Sequence, residues 1–126
     1  MLSRTALLSW LGAFLFTQAV EVPVWAPALR TDRRLTPGAE AWPLWRCVAV
    51  GFGASAITHP IVWFLFPRYA PGSYWVMTAQ AEAFAVLVEA AYARAFGLQR
   101  ALTWSLLANA LSAGLGLASR SAFGWP

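Results

Sequence analysis

Apolar residues dominate four stretches of the chain, 5–28, 44–66, 76–96 and 101–118, and short segments rich in Arg, Pro and Gly separate them. Each stretch is near the length that crosses a bilayer as a helix, about 20 residues at about 1.5 Å each. Within them the polar residues recur at helical spacing. Glu82 and Glu89 are seven residues apart, so at about 100° per residue they point within roughly 20° of one another. Thr78 and Ala85 lie close to that stripe. In the second stretch Gly51, Ser55 and His59 recur at every fourth residue, and Pro60 follows. In the fourth, Ser105, Asn109, Ser112 and Gly116 share one face, while Ala110, Gly114 and Ala118 form a small-xxx-small stripe for helix packing on the other. In the first, Glu21 precedes Pro23 and Pro27, each of which removes a backbone donor, so the helix is expected to kink or end there. The pattern predicts an all-α fold, a single domain over 1–126 with four transmembrane helices in a bundle.

Composition strengthens that picture. The chain is 60% hydrophobic and only 11% charged, with eight Trp and no Lys, whereas a soluble domain has about 25% charged residues. A water-facing surface could not be covered with so few charges, so the bilayer is the solvent that fits. The net charge of +4 comes from nine scattered Arg. No basic run alternates with aromatics, which argues against nucleic acid as a partner. Arg4, the apolar run and Thr17-Gln18-Ala19 could be read as a signal peptide, but apolar character resumes beyond Val20, which favours an uncleaved span. A lone Cys47 excludes an intramolecular disulfide and reads as a small core residue.

Arg placement sets the expected orientation. Arg30, Arg33, Arg34, Arg46, Arg94 and Arg100 fall on the side of the first and third loops, and Arg4, Arg68 and Arg120 on the other. The positive-inside rule then puts both termini outside the cytoplasm of a plasma (inner) membrane. Trp42, Trp45 and the aromatic turn Tyr69 to Trp75 suit interfacial positions.

A carboxyl group at mid-membrane costs on the order of 3 kcal/mol on insertion scales, so acids on one face must look inward. Counting about 1.5 Å of rise per residue from the cytoplasmic side, Glu89 and Asn109 sit roughly 10 to 12 Å deep, with Glu21 comparable. His59 and Glu82 fall together at roughly 21 to 22 Å. Two polar layers are expected: Glu21, Glu89 and Asn109 in one, His59 beside Glu82 in the other. Such groups can pass protons or help coordinate a cation. Alternatively, the acids lock the bundle by donating to carbonyls freed at Pro23 and Pro60, with Asn109 as interhelical glue.

Enzyme signatures are incomplete. One His excludes an HExxH zinc site. Gly53-Ala54-Ser55-Ala56 resembles the serine motif of rhomboid proteases, but His59 lies four residues on in the same helix. Glu89 to Arg94 is one acid short of the EExxxR motif of CAAX-type proteases. The expected function is therefore non-enzymatic: a small transport or channel protein handling a proton or cation through Glu82, Glu89, His59, Glu21 and Asn109. The alternative is a non-catalytic subunit or assembly factor of a membrane complex. The free small-residue face points to a homo-oligomer or to other membrane subunits as partners. Neither a cofactor nor a metal is specified by the residues.

Overall fold

The computed structural model describes residues 3–35 and 37–125; Met1, Leu2, Thr36 and Pro126, which belong to the N-terminus, first loop and tail of the sequence reading, lie outside the described residues. The described chain is all-helical: α1 (Arg4–Thr31), α2 (Leu44–Phe64), the short α3 (Phe66–Tyr69), α4 (Tyr74–Ala95) and α5 (Ala101–Phe123). Three helical segments, Arg4–Thr31, Leu44–Tyr69 and Ala101–Phe123, are long and apolar enough to cross a membrane. By that measure α4 falls short, because Gln80, Glu82 and Glu89 interrupt its apolar sequence.

Local chemistry sets the helix ends. Ser3 caps α1, its hydroxyl accepting from the Ala6 amide at 3.1 Å. Helix α1 does not end at Pro23 or Pro27 but runs through both prolines to Thr31. Proline fixes a helical φ and removes one donor at each step, a local loss that packing on both flanks can outweigh. Near the end of α1 the Thr31 hydroxyl donates to the Pro27 carbonyl at 2.8 Å. Helix α2 likewise continues through Pro60 and stops at Leu65, where Pro67 opens α3 in the first turn that tolerates it. Gly97, at φ +90°, reverses the chain after α4.

The four long helices alternate in direction and pack as a ring, α1 on α2, α2 on α4, α4 on α5 and α5 on α1. Their inward positions are small or polar: Ala13, Gln18 and Glu21 from α1, Gly51, Ala54, Ser55 and Thr58 from α2, Ala81, Ala85 and Glu89 from α4, Ser105, Ala108 and Asn109 from α5. Leucines point outward along α1 and α5, among them Leu8, Leu15, Leu106 and Leu115. Small inward residues let the backbones approach closely. At Gly51 an added Cβ would lie 2.7 Å from the Cβ of Trp25, so α1 and α2 meet there with no room for a side chain.

The two ends of the bundle differ. At one end, formed by the α1–α2 and α4–α5 connections, Trp25, Leu29, Cys47 and Leu98 are fully buried and close the interior. The connections are clasped together there. Asp32 accepts from the Arg100 amide (3.1 Å), the Arg100 guanidinium (3.1 Å) and the Trp104 indole (2.8 Å). Gln99 N–H donates to the Asp32 carbonyl at 3.0 Å, and Arg34 N–H to that of Gly97 at 2.8 Å. Trp42 lies between the guanidinium groups of Arg33 and Arg46, at 3.6 and 4.1 Å from its ring centre.

Burial pushes the Asp32 carboxyl upward, but the Trp104 indole, the Arg100 amide and the Arg100 guanidinium outweigh it and hold it below the usual carboxylate range. A carboxyl whose pKa is lowered by folding stabilises the fold above its unfolded value and loses that contribution as pH falls through the folded one. The clasp is thus complete at neutral pH and opens only in acid below the ordinary carboxylate range, as pH falls through the lowered folded value. In a ¹⁵N–¹H spectrum the Trp104 indole resonance is expected to move upfield on that acidification, and in Asp32→Asn to be displaced upfield already at neutral pH.

Candidate functional site

Toward the opposite end the helices surround a cavity of about 460 Å³. Its mouth is lined by Pro67, Tyr74 and Arg120 and its wall by Phe16, Trp63 and Met77. Glu21 and Glu89 line its deep part, where Ala85, Asn109 and Ser112 also face it. Because Trp25, Leu29, Cys47 and Leu98 close the bundle beyond them, the cavity is blind.

Both deep acids are 1% exposed, and each carboxyl oxygen has its own donor. For Glu21 of α1 the partners are the hydroxyls of Ser55 (α2) and Ser112 (α5, 2.6 Å). For Glu89 of α4 they are the hydroxyl of Thr58 (α2, 2.6 Å) and the amide of Asn109 (α5, 2.7 Å). The donors come as two pairs at i, i+3 spacing, Ser55 with Thr58 and Asn109 with Ser112, which one helical face places side by side. Each acid takes one donor from the first position of one pair and one from the second position of the other. Exchanging α1 with α4 and α2 with α5 maps the pattern onto itself. The site is thus pseudo-twofold about the bundle axis, an arrangement that four-helix bundles also use to build sites from facing helices.

Supporting contacts fix the donors. Asn109 also donates to the Ser105 carbonyl at 3.0 Å, and Ser105 Oγ to the Val86 carbonyl at 2.8 Å, which ties α5 to α4. Gln18 Nε2 donates to the Phe52 carbonyl at 3.2 Å and ties α1 to α2. No cationic side chain reaches either deep acid, and the single salt bridge among the described residues is Arg100–Asp32 at the clasped end.

Of the residues singled out from the sequence, Glu21, Glu89 and Asn109 come together as one polar layer. The acids accept from side chains of neighbouring helices and do not donate to carbonyls freed at Pro23 and Pro60. His59 and Glu82 both line the cavity, but they form no hydrogen bond or ion pair. The His59 ring is stacked on Trp63 at 6.1 Å and meets Phe14 edge-on at 5.4 Å, which turns it toward α1 and its own helix. Depth along the axis gave the two residues one level, but their expected pairing is not made. Among the described residues no three His, Cys, Asp or Glu are grouped to hold a metal ion. Ala110, Gly114 and Ala118 are exposed, and a Cβ at Gly114 would meet nothing within 4 Å.

Sequence reasoning did not assign Ser55, Thr58 and Ser112 to the site, although two i, i+3 pairs of hydrogen-bonding side chains facing two acids were the signal for them. Double-mutant cycles of Ser55→Ala with Glu21→Gln, and of Asn109→Ala with Glu89→Gln, test the pseudo-symmetry. Both pairs are expected to couple with the same sign, at about 0.5 to 2 kcal/mol as interhelical hydrogen bonds do. Reversible unfolding in lipid or mixed micelles measures it.

Compared with known proteins, the chain matches no family model, no curated protein and no solved structure.

Proposed function

We propose that the chain is a multi-pass membrane protein with four spans, α4 included, which handles a proton or cation through its interior acids. The observation that carries this reading is the blind cavity that leads from one end of the bundle to Glu21 and Glu89, with Glu82 on its wall. Carboxyl groups at this depth in an apolar bundle are expensive, and in membrane proteins such groups mark ion and proton pathways. Neutral donors alone hold Glu21 and Glu89, so each can take up and release a proton without breaking an ion pair.

The same geometry supports reading α4 as the fourth span. Helix α4 has 22 residues and reaches about 33 Å at about 1.5 Å per residue. It turns Glu82 and Glu89 into the cavity and leaves Leu87 and Val76 outside. Six of the nine Arg lie on the side of the clasped end, so the positive-inside rule places that end in the cytoplasm and the cavity mouth outside a plasma membrane. The closed layer of Trp25, Leu29, Cys47 and Leu98 is then the barrier on the cytoplasmic side, and passage requires it to open or to admit a water chain.

A second reading is favoured by a separate observation: every carboxyl oxygen of Glu21 and Glu89 already has a donor, as a purely structural lock would require. On that reading the chain is a non-catalytic subunit or assembly factor, with the exposed Ala110–Gly114–Ala118 face docked on a membrane partner or on a second copy. Proteoliposomes separate the two. The transport reading expects proton or cation flux that falls about a hundredfold or more in Glu89→Gln and in Glu21→Gln, the usual scale for losing a positioned proton-transfer group. Flux equal to that of empty liposomes, or unchanged in both variants, leaves the structural reading.

A further inference from the structure

Glu82 differs from the two acids beneath it. Seven residues before Glu89 and two turns below the start of α4, it lines the cavity with no hydrogen bond from any described side chain and no ion pair. The wall it shares is apolar and aromatic, with Phe16, Trp63, Tyr74 and Met77 contributed by three different segments. A volume of about 460 Å³ falls within the range that holds small organic ligands, about 300 to 1,000 Å³. Of the three acids that face this space only Glu82 has no donor among the described residues, so its carboxylate is the group that a positive guest would meet.

We propose that the cavity binds an organic cation with an apolar body, an alkyl or aralkyl ammonium, whose charged head is anchored by Glu82. The chemistry discriminates between guests. A hydrated inorganic ion leaves the aromatic wall unmatched. A neutral apolar molecule leaves the Glu82 carboxyl without a partner. An ammonium bearing carbon substituents satisfies both, since its charge meets the carboxylate and its methyl or methylene groups lie against aromatic faces. Glu21 and Glu89 already have their donors, so they need not contact the guest. The proposal takes from the transport reading the cavity and the orientation of its acids, but equilibrium binding requires no passage across the seal.

Isothermal titration of the full chain in lipid nanodiscs, whose two faces are both open, provides the test. The probe is benzyltrimethylammonium, with neopentylbenzene as its uncharged isostere and benzenesulfonate as an anion of similar size. Saturable binding of one benzyltrimethylammonium per chain is expected, weakened about tenfold or more by Glu82→Gln and largely retained in Glu82→Asp, which keeps the charge. Because Glu82 makes no contact that holds the fold, both variants are expected to unfold at the wild-type midpoint, which excludes misfolding as the cause of a loss. No saturable binding of the cation, equal affinity in Glu82→Gln, or equal saturable binding of neopentylbenzene or benzenesulfonate would overturn the assignment. Flux without cation binding sinks this inference and spares the transport reading; binding without flux does the reverse.

Discussion

Two buried carboxyl groups hold this bundle in register, each bonded to two helices other than its own. An acid placed in an apolar interior costs several kcal/mol unless its oxygens are satisfied, and here four neutral donors do so. The constraint reaches every long helix, because α1 and α4 supply the acids while α2 and α5 supply the donors. Sliding or rotating any one of them strands a carboxyl oxygen in the interior, and that penalty exceeds the gain from one ordinary hydrogen bond. The inward surfaces are therefore built from Gly, Ala and Ser, which bring the backbones close enough for these short side chains to meet. Most leucines of α1 and α5 are left outside, with Leu29 and Leu98 buried at the closed end, and this outward placement is the reverse of a water-soluble core.

The same arrangement divides the bundle along its axis. Below the acids, large side chains fill the space and the Asp32 clasp ties the two connections, so that end is closed and fixed by polar contacts. Above them the inward residues of α4 and α5 are small, which leaves a chamber whose polar groups are carried by helices. Asymmetry along the axis thus coexists with pseudo-symmetry around it. The donor pairs and acids repeat under a twofold exchange, whereas the clasp belongs to one end alone. A transporter, a channel and an assembly subunit could all be built on this frame, and what separates them is whether the acids exchange their protons or only hold their partners.

Much of the arrangement is legible in the sequence because the signals are periodic. The seven-residue spacing of Glu82 and Glu89 and the shared face of Ser105, Asn109 and Ser112 follow from 100° per residue, and they correspond to the faces that line the interior. The pairing of the acids with Ser55, Thr58 and Ser112 is less legible, since it depends on azimuth between helices and not on spacing within one. His59 shows the same limit: its expected depth matched that of Glu82, yet its ring packs against Phe14 and Trp63. The pseudo-symmetry is hidden because the two hairpins differ in length, with 34 residues between Glu21 and Ser55 but 20 between Glu89 and Asn109. The prolines of α1 leave its end ambiguous in the sequence for a related reason, because a local donor loss says nothing of the packing that keeps the helix continuous. Nothing local marks Asp32 as the partner of Arg100 and Trp104, which lie 68 and 72 residues away.

The central claim is that the acids of α1 and α4 face one shared interior and are held there by α2 and α5. Dipolar recoupling by solid-state NMR in bilayers, between the Glu89 carboxyl carbon and the Asn109 side-chain nitrogen, tests it most directly. The nitrogen-to-oxygen separation of 2.7 Å in the structure requires a carbon-to-nitrogen distance of about 4 Å or less. Dephasing at that distance is the expected result. Absence of measurable coupling, with Glu89 in contact with acyl-chain protons instead, would contradict the account.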